Sequence, residues 1–428
     1  MKKIFTMAAL AFLMTACSND IDEPQAQQQP ANSDGMITIT AKLAPKSEAG
    51  TRAVAPGTDS NGKDIIKVKW AVDEHLAILY EVNSTKYEAD ARISYVDANT
   101  GIATITFSVV EGTADNTACT IVYPKSAAKE DHSGVKDAAT LLATQDGTLN
   151  ANLDVRVGAG TIIATTPNLI VTTQPAAQFA IHKFTIQDLS AADKTATKFK
   201  VSDASGNVIA TVTPGSATGT LYVALPVMAA GTYWFNATID TKAYVAKATT
   251  TTTTTAGTYY QSTVKMATIG DVILEDGTFA ARSSTTGTIV AMIAYLGSET
   301  GVAGYTHGLA LALTDKGQMS WTDATGASGA AAHTPAAPTT TSSWMLPSKD
   351  QWNKMIDACK NVLGIQNNYQ DLRDGFSGIS GASNLRSDYY WSSTEYGSSR
   401  AWLFNSVIGY WGDDGKDHVN HVRSCLAF

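Results

Sequence analysis

Apolar and polar residues alternate along much of this chain with a period of two, the spacing that sets one face of a β-strand against a core. The plainest case is Met36–Leu43, where Ile37, Ile39, Ala41 and Leu43 alternate with Thr38, Thr40 and Lys42. Similar strands or short apolar runs are expected at 67–70, 75–82, 91–96, 102–109 and 118–123, separated by Gly, Asn and Asp. The same style returns at 161–164, 178–186, 197–201, 208–212, 219–225, 233–239 and 262–266. Residues 45–64 read as loop, and the seven threonines at 249–255 read as a loop running into the strand after them. Past 267 the pattern changes. Strands at 289–296 and 308–313 precede a long Ala/Gly/Thr/Pro-rich loop at 326–343, and a helical segment follows from Lys349 to Cys359. Ser348 and Gln351 have the spacing of a capping box at its start. These patterns predict a mainly β protein: a first β-sandwich at 53–153, a second at 154–267 and an α+β domain at 268–428.

The N-terminus reads as delivery. Lys2 and Lys3 precede an apolar run at 4–14 that is too short to span a bilayer. Thr15-Ala16-Cys17 resembles a lipobox with Met14 at its first position, so residues 1–17 are expected to be a lipoprotein signal peptide with Cys17 lipidated; an ordinary signal peptide is the alternative. Ser18-Asn19-Asp20-Ile21-Asp22-Glu23 resembles the acidic signal that carries Bacteroidetes lipoproteins to the cell surface. Residues 18–52 are then a polar tether and an N-terminal pro-segment strand. This predicts a surface-exposed protein on the outer membrane.

Length fits about three domains at ~150 residues each. Charged residues make up only 16% of the chain and the formal net charge is −8, so there is no basic footprint for nucleic acid. No phosphate-binding loop, nucleophile elbow or paired carboxylates stand out, so no enzyme activity is expected.

Five of the eight tryptophans (Trp344, Trp352, Trp391, Trp402 and Trp411) fall in the last 85 positions, 344–428. Trp391, Trp402 and Phe404 read as core. Tyr396, Tyr410 and Trp411 lie beside Gly and Ser, where exposed rings stack on sugars or anchor a protein partner, and they are the ligand-binding candidates. Were all these rings buried, the 326–343 loop would be the next place to look. Asp413, Asp414 and Asp417 could supply hard oxygen ligands to calcium, but an Asp/Gly turn explains them equally well. No other cofactor is expected. His418 and His421 are three apart on a strand pattern, pointing to opposite faces, which argues against a shared metal.

Two family resemblances sharpen this reading. The stretch from Trp70 through Asp73 and Glu74 to Tyr80 looks like an early element of the Bacteroidetes fimbrillin family, and 221–226 and 257–266 look like strands of its second domain. That likeness covers about 36–266. It implies lipoprotein pilus subunits with two transthyretin-like β-sandwich domains, trimmed after an Arg by a trypsin-like protease and joined by donor-strand exchange. Arg52-Ala53, just after the Met36–Leu43 strand, is the matching cut. From Gly270 to Phe428 the chain is similar to the C-terminal domain of the Legionella collagen-like adhesin, carried by Gly270-Asp271, Asp276-Gly277-Thr278, 344–348, Tyr390-Trp391-Ser392-Ser393 and Val422-Arg423. This implies a C-type-lectin-like fold that binds a glycan or surface protein, and a long-range disulfide between Cys359 and Cys425 that leaves Cys119 unpaired. With no tail beyond that domain to donate, the chain is expected to be a pilus tip adhesin. A non-pilus lipoprotein that binds glycans for uptake and a structural stalk subunit are the alternatives.

Overall fold

A computed structural model describes residues 36–46, 54–58, 64–366 and 368–428. Cys17, Arg52 and Ala53, and with them the lipidation and cleavage expectations, lie outside these residues.

The first unit contains β1 (Met36–Leu43), a hairpin of β2 (Val54–Thr58) and β3 (Asp64–Val68), then β4 (His75–Val82), β5 (Thr85–Val96), β6 (Ala103–Val110), β7 (Thr117–Tyr123), β8 (Arg156–Ile163) and β9 (Asn168–Ala177). The β2–β3 hairpin occupies the stretch expected to be loop. Seven strands close on themselves in the order β1-β6-β5-β4-β7-β8-β9. The last seam is a single parallel pair, Thr40 opposite Asn168. In contrast, β1 lies antiparallel to β6 at all eight positions, from Met36 opposite Val110 to Leu43 opposite Ala103. The alternation legible in the sequence therefore places Ile39, Ala41 and Leu43 in the first core while Thr40 and Lys42 face outward.

The expected boundary at 153/154 is not where the sheets divide. β8 and β9 pair with β7 and with each other, so the first sheet continues to Ala177. The short helix α1 (Ala138–Leu142) lies in the connection between β7 and β8.

The second unit has β10 (Ala180–Asp188), β11 (Lys198–Ser202), β12 (Val208–Val212), β13 (Thr220–Leu225), β14 (Gly231–Ile239), β15 (Lys242–Thr250) and β16 (Tyr259–Met266). A three-stranded sheet, β13-β10-β16, faces a four-stranded one, β12-β11-β14-β15. Phe184, Phe199 and Phe235 fill the space between, with ring centroids 5.4 to 5.9 Å apart. The threonine run is the end of β15 and then the loop into β16.

The unbroken apolar run of β4 reflects burial on both faces. Leu76, Ile78 and Tyr80 enter the first core, and Ala77 and Leu79 join the second. The second and third units share a core in the same way, through Trp234 and Val245 on one side and Ile273, Val290, Ala310, Leu426 and Phe428 on the other. At its centre the Trp234 ring stacks on His307 at 3.9 Å.

The third unit holds β17 (Val272–Leu274), β18 (Phe279–Ala280), β19 (Ile289–Leu296), β20 (Gly308–Ala312), β21 (Gly317–Ser320), α2 (Trp321–Thr325), α3 (Lys349–Val362), α4 (Gln370–Asp374), β22 (Tyr389–Glu395), β23 (Arg400–Asn405), β24 (Tyr410–Gly415), β25 (Val419–Val422) and β26 (Cys425–Ala427). Two five-stranded sheets form, β18-β17-β19-β20-β26 and β21-β25-β22-β23-β24.

The disulfide implied by resemblance is not formed. Cys359 and Cys425 are free, fully buried thiols in one core. Cys359 Sγ donates to Ala294 O of β19 at 3.5 Å, whereas Cys425 is held in β26 between Leu311 and Met345. Cys119, expected to be unpaired, is a free buried thiol as well.

Candidate functional site

The candidate surface is built on β22, β23 and β24 and on the first turn of α3. The capping box expected from Ser348 and Gln351 is present: Gln351 N donates to Ser348 Oγ at 3.2 Å, and Ser348 N donates to Gln351 Oε1 at 2.7 Å. It fixes the helix start beside β23 and β24. Lys349 Nζ then lies 3.2 Å from the centre of the Trp402 ring and 5.3 Å from that of Trp411. Trp411 Nε1 donates to Asn353 Oδ1 at 2.8 Å. Tyr396, in the turn after β22, sets its ring at 90° to Trp402 with centroids 4.9 Å apart. Phe404 and Trp352 form the buried floor.

The sequence reading needs correcting at several of these positions. Trp391 is fully buried as expected, but Trp402 is half-buried at the rim rather than core. Trp411 lies on β24, half-buried, not in an exposed loop. Tyr396 and Tyr410 are exposed, at 56% and 72%, yet they sit at opposite ends of β23. Five steps along a strand span about 17 Å. Tyr410 and Trp411 are adjacent on β24 and so point to opposite faces. The three candidates therefore do not converge.

Tyr410 belongs to a second group that the sequence reading missed. Tyr389, Asn405 and Tyr410 are aligned across three strands. Asn405 Oδ1 accepts from Val407 N at 2.9 Å and Ile408 N at 3.3 Å, building a turn that leaves both apolar side chains exposed. Gly409 closes it at φ +74°, where a Cβ would also meet the Tyr369 ring at 2.2 Å. The available signal was an apolar Val-Ile pair in a turn, where polar residues are the rule. Tyr389, Val407, Ile408 and Tyr410 together form an apolar tip of the kind that marks partner contacts.

The carboxylate cluster does not form a calcium cage. Asp413 and Asp414 are neighbours on β24 and face opposite ways. Asp413 is paired with Arg400. Asp414 takes His418 Nδ1 at 2.7 Å and Asn420 Nδ2 at 3.2 Å. Among the described residues no three His, Cys, Asp or Glu are placed to hold a metal ion. His421 is buried against Tyr390, with Nε2 3.2 Å from both Asp388 and Gln318.

The Val422-Arg423 motif is structural. Arg423 is fully buried, with Nε 2.8 Å from Asp315 Oδ1 and Nη1 donating to Ala312 O at 2.9 Å. Asp315 also accepts Tyr390 Oη at 2.9 Å.

A cavity of about 410 Å³ opens where the 326–343 loop meets the segments before β19 and after α4. Ser284, Thr288, His333, Thr334 and Ser380 contribute to its lining, giving a hydroxyl-rich, uncharged wall. Burial lowers the pKa of His333 to about 4, so it is neutral at pH 7.

No family model matches the chain, and no curated protein matches it. Among solved structures it is similar to a fimbrial protein from Bacteroides ovatus, at 11% identity and a TM-score of 0.30, covering 93% of this chain and all of that one. It is also similar to the tip fimbrial protein Mfa3 from Porphyromonas gingivalis, at 10% identity and a TM-score of 0.24, covering 54% of this chain and 98% of that one.

Proposed function

We propose that this chain is a surface-anchored pilus subunit, a tip adhesin, that accepts a strand from a neighbouring subunit and presents its C-terminal unit to a ligand. The observation that carries the reading is the pairing of β1 with β6 at eight consecutive positions, with Ile39 and Leu43 fully buried in the first core. That strand comes before Arg52, the proposed processing site at Arg52-Ala53. Cutting there would free β1 and open a groove with an unpaired strand edge and an apolar floor. Such an edge accepts an added strand through main-chain hydrogen bonds. Lipidation at Cys17 would hold the uncut precursor at the outer membrane.

Within the third unit, β26 is hydrogen-bonded to β20 and bridged to Met345, and its side chains are buried. For the ligand, Tyr396 with Lys349 and the apolar tip around Tyr410 are the exposed candidates, in a lectin-like role toward a glycan or a host or bacterial surface protein. The test is Arg52→Ala in cells. The reading expects an uncut precursor that stays out of pili; normal processing and incorporation would overturn it.

A further inference from the structure

Lys46 lies three residues beyond Leu43, the last core-facing position of β1, and its side chain has no solvent exposure. Its Nζ sits 3.4 Å from the Tyr123 ring centre and 4.3 Å from that of Trp70. Those two rings meet at 88°, forming a corner. The rest of the cage is acidic: Asp154 Oδ2 is 3.1 Å from Nζ and Glu74 Oε2 is 3.8 Å away. Each wall is fixed by a bond of its own. Tyr123 Oη donates to Glu74 Oε1 at 2.6 Å, Ala71 N donates to Glu74 Oε2 at 3.0 Å, and Arg156 Nε donates to Asp154 Oδ1 at 2.8 Å. Trp70 Nε1 also reaches the N-terminal segment, donating to Ala44 O at 2.8 Å.

Two aromatic faces and two carboxylates around one point are complementary to a single ammonium group. Burial lowers the Lys46 pKa to about 8 while Asp154 and Glu74 pull the other way, so the occupant is charged at pH 7. The cage belongs to the body of the first unit, whereas Lys46 belongs to the segment that precedes Arg52. Loss of that segment would take the Lys46 ammonium from the largely buried Glu74 and Asp154, Asp154 keeping Arg156. A buried ion pair broken in this way is strongly unfavourable, and such pairs are best used to set register.

We propose that Trp70, Glu74, Tyr123 and Asp154 form an amine-binding cage that latches the N-terminal strand through Lys46 and, once that strand has left, selects an incoming strand carrying a lysine three residues beyond its last core-facing position. The selection of an incoming strand rests on the strand-release reading above; the latch in the uncut chain does not. An apolar side chain would take that ammonium away from Glu74 and Asp154.

The latch is tested in the full-length chain by hydrogen exchange of residues 36–46, comparing wild type with Lys46→Met. Exchange at least tenfold faster in the variant, with the second unit unchanged, is the expected result; equal rates would overturn the latch. Selection is tested on wild-type chain nicked by trypsin within 47–53. It is offered a synthetic peptide of residues 36–46 or the same peptide carrying Lys46→Met. The lysine peptide should enter at least tenfold faster. Equal entry would overturn selection and leave strand release standing. Entry of neither peptide would overturn both strand release and selection, with the latch still decided by the exchange measurement. Because the second arm uses wild-type protein, it does not depend on the variant folding.

Discussion

If β1 is held by the apolar groove it fills, truncating a groove-facing side chain should loosen it and truncating an outward one should not. Leu43 and Ile39 are both fully buried, opposite Ala103 and Phe107. Removing a buried leucine or isoleucine to alanine costs about 2–5 kcal/mol. Taking ~3 kcal/mol for Leu43→Ala gives about a hundredfold rise in the population with β1 detached, at ~1.4 kcal/mol per decade. The two sites are four residues apart, about 13 Å, far enough for their effects to add, so the double variant should reach about 10⁴-fold. Hydrogen exchange of the β1 amides in the full chain reads this directly, up to the ceiling set by global unfolding. Thr40→Ala, exposed on the same strand, is the control and should stay within ~0.5 kcal/mol. Equal effects of Leu43→Ala and Thr40→Ala would refute the view that β1 is held by its buried face.

Arg423→Ala should destabilise the third unit by about 3–5 kcal/mol, because Asp315 and the carbonyl of Ala312 lose their buried partner; an unchanged melting temperature would contradict this. Stability should also fall as pH drops from about 6.5 toward 4. Burial lowers His182, His307 and His333 to about 4, so the unfolded chain takes up their protons first. Urea midpoints at pH 7, 5.5 and 4.5 should decrease in that order, and a flat series would count against neutral burial. Burial raises the pKa of all three described cysteines, to about 12 at Cys119. The native protein should therefore resist maleimide at pH 8, and all three thiols should label after denaturation without reductant; Cys359 and Cys425 that label only after reduction would overturn the free-thiol assignment.

Strand alternation made the fold largely legible. β1 has the bounds its pattern predicts because one face is buried and the other wet, and the capping box at Ser348 is a purely local signal. The 153/154 boundary failed because β8 and β9 carry little alternation of their own, and nothing local says which sheet they join. Which sheet a strand joins is settled by long-range pairing, which periodicity does not encode. The disulfide failed for a similar reason: a helix and a strand can share a core while their cysteines meet different neighbours, Ala294 for Cys359 and Leu311 and Met345 for Cys425. Tyr396 and Tyr410 are exposed, as their Gly- and Ser-rich surroundings suggested. Their separation by the length of β23 follows from register, and the Val407–Ile408 tip drew no attention in the sequence. Lys46 drew no attention, since a lysine after a strand looks like surface until the rings of Trp70 and Tyr123 are seen around it.

The joint at Trp234, His307 and Phe428 has a mechanical consequence. The C-terminal unit meets the second unit over shared core side chains, and Lys247 Nζ adds a bond across it to Gly277 O at 3.0 Å. β4 likewise serves two cores at once. Force applied at the far surface would pass through continuous packed cores instead of being taken up by a slack hinge. Load on the C-terminal unit would then reach the first unit with little loss, as along a beam, and in the proposed pilus the strand seated against β6 would bear it.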